Sequence, residues 1–567
     1  MKKLLFILIL IIAIALRLFK FGTNPPSLYW DEASLGYNAY LIATSGHDEH
    51  GEFLPLSRFI AFGDYKPPGY IYSTVPSILL FGLNEFSVRL PSLIAGFLMI
   101  VITYLLVKEL FGNEILSLLS SFLLSISPWA IQFSRAAFEA NLAAFFNLTG
   151  VYLFLIGRKK GWYIIPSVIF FVLSFYTFNA NRIIAPLFLL GLVSLYFKDI
   201  WSNKKYFLIS AVLALILLLP SLNYIRSRES RLRLQEVSIF NNLEPIKLSN
   251  QRIGLDADVW WAKIIHNRRI LFLSDFLKHY FDNFSGRFLF THGDVNPRLN
   301  AQEMGQLYVW ELPFLLVGIY WLIKKKEKAL PILSLWMLVV PIPAATARET
   351  PHALRILSIL PTFQIITAYG LYQLVFNIKK KFLNSSTIGG ALRFAQDHPR
   401  GVLAASPSRS RLATPGRWPI IAAVICLLLS VNIYYYLHNY YIHYPNSWSG
   451  EWQYGYKQMV AEVLSLADNY DQIFVTDALG RPYIYFAFYG KYPYDDFQKG
   501  RKASRDWFGF WNVEALGKIQ FSLNKLRKAE GRILLVTTPG NLPGNFRLIN
   551  SIKNLSGQDV FSIAEGI

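Results

Sequence analysis

The chain is a succession of apolar runs separated by short charged breaks. Taking roughly 20 apolar residues as the length that crosses a bilayer, about eleven runs read as spans. They lie near 4–19, 88–107, 114–130, 138–157, 162–178, 181–198, 206–222, 306–323, 329–344, 355–377 and 418–437. The breaks between them carry a sign. If sides alternate from Lys2 and Lys3, then Lys108, Arg158 to Lys160, Lys198 to Lys205, Lys324 to Lys328 and Lys379 to Lys381 all share the starting side. Basic residues in short loops mark the cytoplasmic face. The N-terminus is therefore expected inside and the C-terminus outside.

The outer face then holds a first loop, 28–87, a turn at Ser134 to Glu139 and another at Asn179 to Arg182. It also holds a large loop, 223–305, and the turn at Arg348 to Arg355. The last part of the chain changes character. Gln472 to Thr476 and Arg532 to Thr537 are β-branched apolar runs bounded by turn residues, the mark of buried strands. Tyr456 to Ala467 and Val513 to Lys528 have helical spacing. The expected fold is mainly α: a polytopic membrane helix bundle over 1–437 with a small extracytoplasmic α/β domain over 438–567. The stretch 384–417 is basic and rich in Ser, Gly and Pro, without apolar period, and reads as a disordered cytoplasmic insertion with no catalytic role.

Composition narrows the function. The 567 residues are 53% hydrophobic and only 16% charged, against about 25% charged in soluble proteins. The net charge of +20 sits in the clusters between spans. There is no basic domain with interleaved aromatics, which argues against nucleic acid. One cysteine, Cys426, leaves neither an intrachain disulfide nor a cysteine-based metal site. The opening MKKLLFILILIIAIAL is followed by Arg17 and Lys20 rather than a small-residue cleavage site, so it reads as an uncleaved first span. No phosphate-cradling glycine loop is present, which argues against ATP and dinucleotides, and no HExxH-like cluster supports a divalent metal. No cofactor is expected.

The first outer loop carries the candidate chemistry. It opens with Asp31-Glu32 among Tyr29, Trp30, Leu35 and Tyr37, and closes with Lys66-Pro67-Pro68. An acidic pair often just ends a helix in water. Here the aromatic flanks place it at the membrane interface, where carboxylates are expensive unless paired or functional. Partial desolvation there makes a carboxylate a better base. Lys66 is either a snorkelling interfacial lysine or a cation aimed by the stiff prolines at a phosphate. Arg135 and Glu139 are one helical turn apart, as a helix-end ion pair or as an arginine for phosphate ordered by a carboxylate. Asn179 and Arg182 offer another phosphate contact. His292, Asp294, His352 and Arg355 are weaker signals.

These residues carry a resemblance. A first span, an outer loop opening with Asp-Glu and later containing Lys-Pro-Pro, many further spans and a soluble C-terminal domain resemble the C-superfamily membrane glycosyltransferases. Within it the chain is most similar to the protein O-mannosyltransferase and aminoarabinose transferase group. The likeness is best over 1–200 and weaker at Gly305 to Tyr308 and Thr350 to Arg355. It implies a polyprenyl-phosphate-sugar donor, an acceptor hydroxyl on the outer face of the cytoplasmic membrane, and inversion at the anomeric carbon. It assigns Asp31 as the base, Glu32 as its support, and Lys66 and Arg135 as ligands of the lipid phosphate, with Glu139 orienting Arg135. Metal-binding members of the superfamily use further ligands that have no match here. The alternative is a transporter or flippase of lipid-linked substrates. That reading asks for charged or broken helices at mid-membrane in two related halves, and the chain has neither repeated halves nor mid-span charge clusters.

Overall fold

The computed structural model describes residues 1–62, 64–227, 230, 237–376, 418–505 and 511–566. The expected insertion 384–417 lies outside them, as does the Lys379 to Lys381 cluster. The chain is mainly helical, with a sheet near its C-terminus. Each apolar run of the sequence falls on a helix. Among the described residues four are long and apolar enough to cross a bilayer: Glu85–Phe111, Glu139–Gly157, Lys204–Arg226 and Leu357–Phe376. Glu114–Ile126 and Pro128–Arg135 make a fifth if they form one span bent by 57°. The break has a local cause: Ser127 caps the second helix through Ala130 N–H, and Pro128 at its start cannot donate to the first. The other runs form shorter helices, so length alone carries four or five crossings rather than eleven. These apolar helices make this a multi-pass membrane protein.

The first outer loop is more ordered than the sequence pattern indicated. It holds the helix Trp30–Ser45, a hairpin of β1 (Phe59–Ala61) and β2 (Asp64–Lys66), and the apolar helix Gly69–Phe81. Period reading missed the helix Trp30–Ser45 because its middle, from Glu32 to Ala39, is buried on every face. Its Leu35, Tyr37, Ala39 and Leu41 are fully covered. Gly36 shows by what: a Cβ there would lie 2.4 Å from Val88 on one side and 2.7 Å from Phe488 on the other. The helix is thus pressed between the bundle and the C-terminal part.

That C-terminal part has a mixed seven-stranded sheet in the order β4-β5-β6-β3-β7-β9-β8. Its strands are β3 (Gln472–Val475), β4 (Arg501–Arg505), β5 (Trp511–Leu516), β6 (Ile519–Gln520), β7 (Ile533–Thr537), β8 (Phe546–Lys553) and β9 (Asp559–Gly566). The two expected strands are β3 and β7, paired in parallel, and the helix Tyr456–Leu466 is present. The helix expected over Val513 to Lys528 is instead β5, β6 and a short 3-10 turn. Gly517, at φ +60°, begins the two-residue turn that folds β6 back on β5 with Leu516 opposite Ile519. That chain reversal breaks any helical period. Tyr440, Tyr444 and Trp452, just past the expected boundary at 438, pack into the core of the helical part. The sheet and the helix Pro482–Tyr489 share a second core with the helix Trp30–Ser45.

Candidate active site at the first outer loop

Asp31 and Glu32 sit in the first turn of the helix Trp30–Ser45, where backbone N–H groups favour negative charge. They are consecutive, and a helix turns about 100° per residue, so they point in different directions. Glu32 points inward and is fully buried. It accepts two parallel hydrogen bonds from Arg89 Nε and Nη2, both 2.9 Å. It also accepts from Ala137 N at 2.7 Å and from Tyr29 N at 3.3 Å, which closes a capping box. Arg89 uses its remaining donors on the carbonyls of Pro25 and Ser27. The pair therefore ties the loop entrance to the helix Glu85–Phe111. Arg89 lies inside an apolar run, and only its arginine at mid-pattern marks it in the sequence.

Asp31 points outward, with a quarter of its side chain exposed. Lys66 Nζ lies 2.8 Å from Asp31 Oδ1 and 3.6 Å from Glu139 Oε1, and the lysine itself is 8% exposed. Glu139 is the first residue of the helix Glu139–Gly157, so a second helix N-terminus meets the site. Two details aim the lysine. It ends the hairpin strand β2, opposite Phe59. After Pro67 and Pro68, Gly69 donates to Tyr176 O at 2.8 Å. A Cβ at Gly69 would come within 2.3 Å of Thr177 Oγ1, so only glycine lets the turn dock there.

Arg135 does not join this cluster. It is fully buried and donates from Nη1 to the carbonyls of Leu16 and Arg17, and from Nη2 to those of Phe19 and Asn24. The expected Arg135–Glu139 pair is replaced by Glu139 facing Lys66. The reason is the broken helix: Ala136 is extended, so the two residues are not one turn apart on one helix. Arg135 fastens the end of the first helix instead.

The sequence reading missed a cation beside Tyr29. Arg298 sits 4.9 Å over the ring of Tyr29. Burial pushes the Tyr29 phenol well above its usual range; Asp31 and Glu139 push the same way and Arg298 opposes them. These groups therefore share one electrostatic neighbourhood. Asn296 orients Arg298 through its backbone N–H at 3.0 Å and Nε at 3.4 Å. Its loop is anchored by Asp294, which accepts from Ala353 N at 2.7 Å. A lone arginine in a long loop has no periodic signal, so nothing in the chain singled it out.

The remaining candidates are more distant from Asp31. Arg182 Nη2 donates to Ser57 O at 3.3 Å and stacks 4.7 Å over Tyr224, whose ring neighbours Tyr65 at 6.1 Å. It braces the loop that carries Lys66. His352 is buried, its N–H bonded to Asn283 Oδ1 at 3.1 Å and its Nδ1 4.0 Å from Asp294. Burial lowers the His352 pKa to about 3 and raises that of Asp294 to about 6. Arg355 donates to Glu349 O at 2.9 Å. The backbone N–H of the next residue, Ala353, rather than the His352 ring, holds the Arg298 loop through Asp294, and Arg355 holds its own turn.

With this geometry in view, comparison with known proteins is informative. Residues 7–229 match the family described as dolichyl-phosphate-mannose-protein mannosyltransferase. The chain resembles the PMT-type membrane glycosyltransferases. A putative mannosyltransferase, YkcB of Bacillus subtilis, is 30% identical over 153 residues, 27% of this chain and 21% of that protein. An uncharacterized protein of Aquifex aeolicus is 28% identical over 196 residues, 32% of this chain and 44% of that one. The chain thus aligns with less than half the length of either relative. Among solved structures, ArnT from Cupriavidus metallidurans in the apo state matches with a TM-score of 0.53 at 13% identity, over 99% of this chain and 98% of that chain. The same protein bound to undecaprenyl phosphate gives 0.51 at 12% identity over 99% and 98%. At such identity the likeness is one of fold, and it extends over helices and sheet together.

Proposed function

We propose that the chain is an inverting glycosyltransferase that moves a sugar from a polyprenyl-phosphate donor to a hydroxyl outside the cytoplasmic membrane. The observation that carries this reading is the half-open Asp31–Lys66–Glu139 cluster. The match of 7–229 to a lipid-phosphate-mannose transferase family supports it, as does the shared fold with a protein whose structure holds undecaprenyl phosphate. Eleven crossings, an inner N-terminus and an outer C-terminal part complete the reading.

The chemistry follows from charge. Asp31 takes the proton of the acceptor hydroxyl as its oxygen attacks the anomeric carbon from the face opposite the phosphate. The bond from carbon to phosphate oxygen breaks, and its electron pair leaves with the lipid phosphate. That phosphate gains charge in the transition state, so fixed cations there lower the barrier preferentially. Lys66 supplies one. Arg298 supplies the second, in the role the resemblance had given to Arg135. In the absence of donor, Asp31 and Glu139 hold the Lys66 ammonium; donor phosphate draws it over and leaves Asp31 free to act as base. Glu32 and Arg89 hold the helix that aims Asp31.

The deciding experiment is sugar transfer by the purified, reconstituted protein. Radiolabelled undecaprenyl-phosphate sugars are offered with membrane extract as acceptor, with and without chelator, beside Asp31→Asn. Asp31-dependent release of undecaprenyl phosphate is the expected result. Folded protein that turns over no donor would sink the reading.

A further inference from the structure

The loop that leaves β3 bends over the helix carrying Asp31. Gly480, at φ +124°, lies against the Trp30 ring, and a Cβ there would come within 2.5 Å of it. Gln453 locks the same junction: its Oε1 accepts from Trp30 N at 2.8 Å and its Nε2 donates to Leu479 O at 3.0 Å. Directly behind this loop is a cavity of about 170 Å³ lined by Asp477, Arg481, Asn512, Tyr483 and Phe521. Among the described residues the Asp477 carboxylate, Arg481 guanidinium and Asn512 amide form no hydrogen bond or ion pair with one another or with other side chains. Arg481 only stacks, 5.6 Å over Phe62. The site lies beyond the C-terminal end of β3, which is flanked by parallel strands on both sides, β6 and β7. Crevices outside the C-terminal ends of parallel strands are where open α/β sheets take ligands.

The lining defines the ligand. A carboxylate accepts, a guanidinium donates in a fixed fork, and an amide does both. One negative and one positive charge leave the cavity without net charge, which disfavours phosphate and other anions. The buried rings of Tyr483 and Phe521, inclined at 57° to each other, add an apolar corner. Groups that both donate and accept, on a ring with an apolar face, describe a neutral sugar.

We propose that this cavity is a sugar-binding subsite for the acceptor, so that the acceptor is a glycan or the sugar headgroup of a glycolipid. The inference rests on the transferase reading for its role, but not for its binding test. Gly480, which lines the cavity, packs on Trp30, the residue before Asp31; in this proposal a sugar seated there presents its hydroxyl towards Asp31 while donor phosphate meets Lys66.

The test is binding of methyl α-mannopyranoside and methyl β-glucopyranoside to the full-length protein in detergent, followed by saturation-transfer NMR without any donor. A serine-containing peptide runs in parallel. At least one glycoside is expected to bind wild type, and R481Q and N512A are each expected to weaken it by tenfold or more. D477N is a further variant should either fail to fold, as judged by thermal unfolding. With donor supplied, the same variants raise the KM for a glycan acceptor while kcat moves less. Glycoside binding equal in wild type and folded variants would overturn the subsite, as would a wild type that binds the peptide and neither sugar. Because binding needs no turnover, loss of the transferase reading and loss of the subsite are separate results.

Discussion

Asp31 and Glu32 are adjacent in the chain and have opposite fates. Glu32 is sealed, its oxygens spent on Arg89 and two backbone N–H groups. Asp31 keeps a quarter of its surface open and shares one lysine with Glu139. The difference is a matter of helical phase: one side of the turn is sealed, the other is partly open. A fully satisfied buried pair fixes position, while a partly open carboxylate with a movable cation retains the capacity to accept a proton. The comparison gives Glu32 a holding role and leaves Asp31 as the proposed base.

The largest effect is expected at Glu32. Replacing it with Gln leaves Arg89 buried without its counter-charge, which costs about 3–5 kcal/mol. Thermal unfolding in detergent, or the yield of folded protein, measures this. A Glu32→Gln protein as stable as wild type would remove the contrast. Next comes Asp31→Asn, expected to slow transfer by about 10²–10⁴-fold, the range of a lost general base. Its stability should change less than at Glu32, since Lys66 keeps Glu139 as a counter-charge at 3.6 Å and the helix N-terminus itself contributes only about 0.3–1 kcal/mol. The pair of variants should therefore separate: one loses fold, the other loses rate. If Asp31→Asn retains transfer, another group is the base.

Lys66→Ala tests the movable cation. A hydrogen bond to a charged group is worth about 1.5–3 kcal/mol. Use of the polyprenyl-phosphate donor should weaken accordingly, roughly 10- to 150-fold in kcat/KM. Steady-state kinetics over donor concentration measures it, and an effect confined to the acceptor would contradict a phosphate role.

A third carboxylate sharpens the contrast most gently. Glu49 is as buried as Glu32 but meets the neutral side chains of Asn38 and Tyr483, at 3.3 and 3.4 Å. Burial raises its pKa from 4.5 to about 8. The folded state then binds more protons than the unfolded state between those values, so stability falls as pH rises through that window. Neighbouring His50 acts oppositely: burial lowers its pKa from 6.5 to about 3, so its contribution to stability rises with pH over that interval. Above 6.5 the Glu49 slope acts without that opposition from His50. Unfolding midpoints between pH 6.5 and 8 should fall in wild type and stay flatter in Glu49→Gln. Equal slopes in both proteins would show that Glu49 holds no proton.

Much of this was legible in the chain. Apolar runs marked where helices form, because burial in lipid or in a helical core imposes long apolar stretches. Lys66 stood out through Pro67 and Pro68, and Asp31 through its aromatic flanks. Arg135 and Glu139 were misread as a pair because i,i+4 spacing means proximity only within one helix, and Ala136 is extended. Arg89 and Arg298 were not singled out because their partners are 57 residues away, in Glu32, and in the separate segment of Tyr29.

By itself the sequence determined what local physics controls: which stretches are apolar, where charge lies between them, where prolines stiffen the backbone and which strands are β-branched. Tertiary structure decided which way each charged side chain faces. Only folding could turn Glu32 onto Arg89 and Asp31 onto Lys66, bury the middle of the helix Trp30–Ser45 on every face, and set the sheet's loop against Trp30. The reason is that pairing and burial depend on neighbours far along the chain, and periodicity carries no information about those.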